Sequence, residues 1–81
     1  MFQKHKMIIT LYGSIGCFKC SEAINWLDEH KIVYTYKLIS SDDVYGEVTA
    51  LTDCTSLPIL HYKDEVICGF DITLYEKTLN I

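Results

Sequence analysis

The chain has 81 residues, of which 49% are hydrophobic and 22% are charged, and its formal net charge is −4 at pH 7. This composition excludes an intrinsically disordered chain and suits one compact domain over residues 1–81. It also argues against membrane and nucleic-acid binding, because no apolar run could span a bilayer and the basic side chains are lysines without a single arginine.

The first two predicted elements are a buried strand and an amphipathic helix. Residues 7–12 read MIITLY, an apolar run typical of a strand covered on both faces, and residues 1–6 are expected to form a loose tail. A glycine-containing turn at 13–16 follows. Apolar spacing then predicts a helix over about 18–30, with Trp26 at the edge of its polar face, where it is expected to pack against the tail or remain partly exposed. The inward positions of this helix are Cys20, Ala23, Ile24 and Leu27.

The rest of the chain predicts two helices and three strands. KIVYTYKLIS reads as a second strand, and the Ser-Ser-Asp-Asp run at 40–43 predicts a helix start before a short helix that ends near Leu51. ILHYK and VICGF form two strands joined by a tight turn. Asp71 can cap a last helix whose inward residues are Ile72, Tyr75 and Leu79. The order β-α-β-α-β-β-α predicts an α/β fold.

Cys17 and Cys20 are the residues with the clearest chemistry. Cys17 follows a strand and a glycine turn at the expected start of a helix, where free amide groups and the helix dipole favour a thiolate. Cys20, one turn later on the apolar face, is expected to be the more buried sulfur. This asymmetry is typical of a dithiol oxidoreductase, in which Cys17 attacks a disulfide and Cys20 resolves the mixed disulfide.

Two alternatives concern the four cysteines. A structural zinc site normally needs a second close pair of ligands, but Cys54 and Cys68 stand apart in the sequence and the three histidines form no such pair, so no metal is expected. A permanent structural disulfide is disfavoured because the start of the chain lacks a full signal-peptide pattern. We therefore expect a cytoplasmic location. Cys54 receives no role, and Cys68 is expected to be a small buried residue, with glutathionylation near the active site as the alternative.

The chain resembles a small glutaredoxin of the thioredoxin-fold superfamily over almost its whole length. The resemblance depends on CFKC after a strand and turn, SLP before the third strand, and GFD after the fourth. It implies a thioredoxin fold, with a four-stranded mixed sheet flanked by three helices. It also implies a monomeric thiol–disulfide oxidoreductase that uses glutathione as co-substrate and acts on disulfide-containing proteins.

The resemblance also assigns binding residues. Pro58 is expected to be cis, with Leu57 before it offering its backbone to an extended substrate. The segment GFD is expected to bind the γ-glutamyl end of glutathione. The proposed substrate- and glutathione-binding residues are Tyr12, Phe18, Lys19, Leu57, Pro58, Gly69, Phe70 and Asp71.

One departure from the glutaredoxin pattern leaves the electron donor open. Ser14 stands where glutaredoxins carry a lysine for the glycine carboxylate of glutathione, so Lys19 or Lys37 would have to serve. Glutaredoxin-like redoxins that lack these contacts take electrons from thioredoxin reductase and pass them to ribonucleotide reductase. Both versions of the chemistry remain open from the sequence, together with the small zinc-binding module as a rival of another class.

Overall fold

The computed structural model describes residues 8–81, and the predicted loose tail lies outside this range. Within it, three helices and four strands follow one another in the predicted order. Their bounds are β1 Ile9–Gly13, α1 Phe18–Glu29, β2 Thr35–Leu38, α2 Asp42–Leu51, β3 Ile59–Tyr62, β4 Glu65–Cys68 and α3 Ile72–Leu79. The α/β thioredoxin fold expected from the sequence is confirmed. The second and fourth strands are shorter than their apolar runs suggested.

The four strands form one mixed sheet in the order β2-β1-β3-β4. β1 runs parallel to β2 and antiparallel to β3, and β3 runs antiparallel to β4. The parallel pair requires a crossover, which α1 supplies. Because Tyr12 faces Ile59 in the register, the end of β1 lies beside the start of β3. The turn after β1 and the segment before β3 therefore meet at one edge of the sheet.

Side chains that alternate along β1 divide the core into two parts. Ile9 and Leu11 belong to a cluster formed with α1 and α3, whereas Tyr12 belongs to a smaller cluster formed with α2. This division follows from the two-residue period of a strand. The sheet is thus covered by α1 and α3 on one face and by α2 on the other.

Two sequence predictions about the helices are wrong. Trp26 is 7% exposed and packs edge-on against Tyr75, with 5.7 Å between ring centroids, because α3 covers an edge of α1 that the helical period alone marks as polar. Ile72 is 45% exposed because it opens α3, ahead of the residues that pack on the sheet. Tyr75 and Leu79 are buried as predicted. Over residues 8–81, no helix combines the length and the apolar character needed to cross a membrane.

Candidate active site

The turn between β1 and α1 depends on two glycines. A Cβ atom at Gly13 would meet the hydroxyl of Tyr36 and lie 2.8 Å from the sulfur of Cys20, so a larger residue would displace at least one of them. Gly16 has a φ of +82°, a left-handed conformation that glycine adopts without a steric penalty. These positions let the chain leave the sheet and enter α1 within a few residues.

Cys17 caps the N-terminus of α1. Its backbone is extended, and its sulfur accepts a hydrogen bond from the backbone N–H of Cys20 over 3.1 Å. Free N–H groups in the first turn of a helix stabilise negative charge, and this environment lowers the pKa of a cysteine thiol in general. A thiolate at Cys17 would therefore receive a charge-assisted hydrogen bond that a neutral thiol receives only weakly.

The two sulfurs of this pair differ in exposure. Cys17 is partly exposed, whereas Cys20 is 1% exposed and belongs to the core. They form a disulfide with a Cα–Cα distance of 5.2 Å. The expectation that Cys20 is the more buried sulfur is confirmed. A thiol or a substrate disulfide can reach Cys17 from solvent, whereas Cys20 is accessible only to the sulfur of Cys17.

The surface beside Cys17 is apolar. Ile15 is 84% exposed, and Phe18, between the two cysteines, is 74% exposed. Lys19 lies at the surface and pairs with Glu22 over 3.7 Å one turn along the helix. Exposed apolar side chains around a reactive sulfur offer contact area to a partner.

The Leu57–Pro58 peptide bond is cis, as the resemblance implied. Pro58 is buried and Leu57 is partly exposed, directly before β3. The backbone N–H of Gly69 donates to the carbonyl oxygen of Pro58 over 2.8 Å. This hydrogen bond joins two predicted binding segments, whose nearest residues are 11 positions apart in the sequence.

Asp71 caps α3, and its Oδ1 accepts a hydrogen bond from the backbone N–H of Leu74 over 3.1 Å. The cap predicted for Asp71 is confirmed. Phe70, in contrast, packs edge-on against Tyr75 with 5.2 Å between ring centroids and contacts the main core cluster. Phe70 therefore packs between residues 69–71 and the core, and only part of its ring is accessible to a ligand.

Tyr12 is largely buried in the sheet but also helps to line a pocket with Glu47 and His61, so its contact with substrate stays a prediction. It is 2% exposed, and its hydroxyl donates to the Glu47 carboxylate on α2. Burial, followed by this hydrogen bond, raises the pKa of Tyr12 to about 12. The same bond and the ammonium group of Lys37, 3.0 Å away, lower the pKa of Glu47. The two-residue period of β1 directs the Tyr12 side chain toward α2. No sequence motif predicted that Glu47 would be its hydrogen-bond partner.

Cys54 and Cys68 form a second disulfide, which the sequence did not predict. Cys68 is exposed at the end of β4, which corrects its expected burial, and Cys54 is partly exposed in the loop after α2. The even number of cysteines was the available signal, but cysteine spacing does not determine connectivity. Among residues 8–81, the side chains of His, Cys, Asp and Glu do not converge in threes on any point that could hold a metal ion.

Comparison with curated proteins finds bacterial regulators. The global transcriptional regulator Spx 1 of Oceanobacillus iheyensis is 30% identical over 71 residues, which cover 83% of this chain and 54% of that protein. Spx 2 of Bacillus anthracis is 29% identical over 77 residues, which cover 90% and 59%. The chain thus spans little more than half the length of these relatives. No protein-family model matches the chain.

Several solved structures superpose on most of this chain. A glutaredoxin from Archaeoglobus fulgidus superposes with a TM-score of 0.79 at 15% identity, covering 90% of this chain and 86% of its own. The glutaredoxin-like NrdH-redoxin from Escherichia coli gives 0.77 at 17%, covering 88% and 93%. A variant of the thioredoxin-like protein BC3987 gives 0.84 at 23%, covering 90% and 95%. Together with the sheet order, these similarities show that the chain has the thioredoxin fold.

Proposed function

We propose that this chain is a dithiol oxidoreductase that reduces protein or mixed disulfides in the cytoplasm, with glutathione as its electron donor. The fold and the Cys17–Cys20 pair fit a thiol–disulfide oxidoreductase. The observation that carries the proposal is the asymmetry of this pair: one sulfur is accessible and hydrogen-bonded at a helix N-terminus, and the other is buried beneath it.

The reaction follows from this asymmetry in two exchanges. The Cys17 thiolate attacks a substrate disulfide, forms a mixed disulfide and releases one substrate thiolate. The Cys20 thiolate then attacks the Cys17 sulfur, which closes the Cys17–Cys20 disulfide and releases the second substrate thiolate. Two electrons pass from the protein to the substrate. Two glutathione molecules restore the dithiol and leave as one glutathione disulfide.

The segment from Gly69 to Asp71 supports glutathione as the donor. Asp71 uses Oδ1 for the helix cap, and its other carboxylate oxygen can accept a hydrogen bond from the α-ammonium group of the γ-glutamyl residue. The N-terminus of α3 can hold the neighbouring carboxylate. The backbone of Leu57 offers one N–H and one C=O to the peptide portion, in the manner of an added strand.

A second electron donor, thioredoxin reductase, has support of its own. Both lysines expected to bind the glycine carboxylate of glutathione are already paired with carboxylates: Lys19 with Glu22, and Lys37 with Glu47. With Ser14 in place of the usual lysine, the site offers less positive charge to glutathione. In this version the oxidised protein accepts electrons from the reductase and donates them to an enzyme such as ribonucleotide reductase.

One coupled assay separates the two donors. The oxidised protein is mixed with reduced glutathione in one arm and with thioredoxin reductase and NADPH in the other, and the rate of opening of the Cys17–Cys20 disulfide is compared. Faster opening by glutathione supports the leading proposal. Rapid reduction by the reductase with no reaction with glutathione contradicts it.

Two substitutions at Asp71 test the glutathione site. Asp71→Asn keeps a helix-capping side chain but removes the charge, so it should raise KM for glutathione and leave stability nearly unchanged. Asp71→Ala should raise KM similarly and also cost about 1 kcal/mol of stability through loss of the cap. If Asp71→Asn leaves KM unchanged, this carboxylate does not bind glutathione.

A regulatory role is a second candidate function, favoured by the similarity to part of the Spx regulators. In that role, formation and reduction of the Cys17–Cys20 disulfide are the signal, and the protein does not catalyse repeated turnover. Substrate excess distinguishes the roles: an oxidoreductase reduces many equivalents of a mixed disulfide per chain when the donor is present, whereas a sensor reacts once per chain.

A further inference from the structure

The second cysteine pair lies outside the candidate active site but is connected to it. Cys54 and Cys68 are 14 residues apart in the sequence, and their Cα atoms are 5.6 Å apart, within the usual range for a disulfide. Neither residue has a part in the chemistry proposed for Cys17 and Cys20. Their position relative to the cis proline gives them a function of a different kind.

The Cys54–Cys68 disulfide encloses the segment that contains Leu57 and Pro58. Cys68 is the register partner of Ile59, the residue that follows Pro58. The disulfide therefore fixes one end of residues 54–59, and the β3–β4 ladder fixes the other. The Gly69 N–H, next to Cys68, adds the hydrogen bond to the Pro58 carbonyl.

The two sulfurs of this pair are not equivalent in an exchange reaction. Cys68 is exposed, whereas Cys54 is partly buried. The hydroxyl of Thr52 donates a hydrogen bond to the sulfur of Cys54 over 3.1 Å, and the Cys54 N–H donates to the same hydroxyl oxygen over 3.1 Å. A hydroxyl donor stabilises a departing thiolate, so attack at Cys68 with release of Cys54 is the favoured direction.

The loop that holds Cys54 has open space beside it. A cavity of about 380 Å³ lies between α2 and this loop, and its lining includes Thr52, Cys54 and Leu57. Cys54 and Leu57 pack against the smaller core cluster on one side and border this space on the other. The loop therefore has room to move toward α2 once its covalent tie is opened.

We propose that Cys54–Cys68 is a second thiol-exchange site, entered at Cys68 by a small thiol of the glutathione class, whose opening releases the Leu57–Pro58 segment. The attacking thiolate bonds to Cys68 and the electron pair of the broken S–S bond leaves with Cys54. A second thiol attacks the adduct, so that two thiols become one disulfide and the protein gains two electrons and two protons. The effect on substrate binding rests on the proposed function, whereas the exchange itself does not.

The first test uses a Cys17→Ser/Cys20→Ala variant, which leaves only the second pair. The folded variant is incubated with defined mixtures of reduced and oxidised glutathione, quenched with acid, alkylated and analysed by mass spectrometry. We expect the pair to open while the protein stays folded, with the transient glutathione adduct on Cys68. A pair that stays closed until the chain unfolds, or an adduct found mainly on Cys54, overturns the proposal.

Thr52→Val is the matched variant for the leaving group. In the same background it should slow opening about three- to tenfold, the effect of losing one hydrogen bond to the departing sulfur. Its urea midpoint, measured with the pair closed, controls for a general loss of stability. An unchanged opening rate removes Thr52 from the reaction and contradicts the assigned direction of attack.

The second test measures amide hydrogen exchange at Gly69, whose N–H binds the Pro58 carbonyl. Exchange should become faster when the second pair is reduced, and a Cys54→Ser/Cys68→Ser variant should match the reduced form. Unchanged protection would separate the disulfide from the Leu57–Pro58 segment and overturn the proposed release. These measurements need neither Cys17 nor turnover, so they remain decisive if the activity assays fail.

Discussion

The first disulfide begins at the N-terminus of α1, whereas the second includes Cys54, which follows the C-terminus of α2. This difference in position gives the two disulfides different chemistry. Cys17 begins α1, where its sulfur accepts an amide hydrogen bond. Cys54 lies two residues beyond the C-cap of α2, so it does not lie among the free N–H groups of a helix N-terminus. The first environment stabilises a thiolate through the backbone. The second offers one side-chain hydroxyl, from Thr52.

The contrast also concerns how much chain each disulfide encloses. The first joins residues three positions apart in the sequence, and the second joins residues 14 positions apart. A longer loop gives a larger stabilisation of the folded state, about 3 kcal/mol for a 15-residue loop in the chain-entropy description. The first pair is therefore suited to rapid exchange and the second to holding a segment in place.

Removal of Cys17 should have the largest effect. Cys17→Ser should lower the rate of disulfide reduction by more than about 10³-fold, because the attacking thiolate is lost. Cys54→Ser/Cys68→Ser, the matched control, should retain the reaction with a changed KM. Initial rates with a small mixed disulfide as substrate measure both. If the two variants lost a similar fraction of the reduction rate, the two cysteine pairs would not differ in function as proposed.

Removal of Cys20 should divide the reaction into its two exchanges. In Cys20→Ser, the attack by Cys17 proceeds but intramolecular resolution does not, so a mixed disulfide with a protein substrate should accumulate. Mass spectrometry of the acid-quenched mixture detects this adduct on Cys17. Failure to trap any adduct, with turnover retained, would mean that Cys20 is not the resolving residue.

The two pairs should open in a fixed order as conditions become more reducing. Stabilisation of the Cys17 thiolate favours the reduced form of the first pair, whereas the longer loop favours the oxidised form of the second. A helix-end effect of about 1 kcal/mol corresponds to roughly 20 mV for this two-electron couple. Redox titration with peptide-resolved alkylation gives both potentials. If the second pair is reduced before the first, the predicted order of the two reduction potentials is wrong.

The smallest effect is expected from Tyr12→Phe, which leaves both cysteine pairs unchanged. The variant loses the hydrogen bond to Glu47, whose pKa is lowered first by that bond and then by Lys37. A lowered folded pKa gives stability that is present above the usual value of 4.5 and is lost as the pH falls through the folded value. The stability deficit of the variant should therefore be greatest near pH 7 and shrink in acid.

Urea unfolding of Tyr12→Phe and the parent protein at several pH values measures this deficit. Glu47→Gln is the matched control, because it removes the titrating carboxylate and should flatten the same part of the pH profile. A deficit that is constant from pH 7 to below the pKa of Glu47 would show that the hydroxyl stabilises the fold independently of this carboxylate.

Local patterns in the sequence predicted what depends on neighbouring residues. Apolar periodicity gave the element order, and the position of Cys17 after a glycine turn gave its place at the helix start. The resemblance supplied the cis bond before Pro58. Trp26 was misplaced because its burial depends on α3, which lies far along the chain. The Cys54–Cys68 pair was missed for the same reason, since the β3–β4 ladder brings its members together.

Gly13 limits how this protein can be modified. Any side chain there would meet the hydroxyl of Tyr36 and the sulfur of Cys20, so a substitution at Gly13 would have to move at least one of them. Phe18 and Lys19, the two residues between the cysteines, both lie at the surface and can vary at little cost to packing. Substitutions that change the reduction potential should therefore occur mainly at Phe18 and Lys19, whereas Gly13 should stay constant.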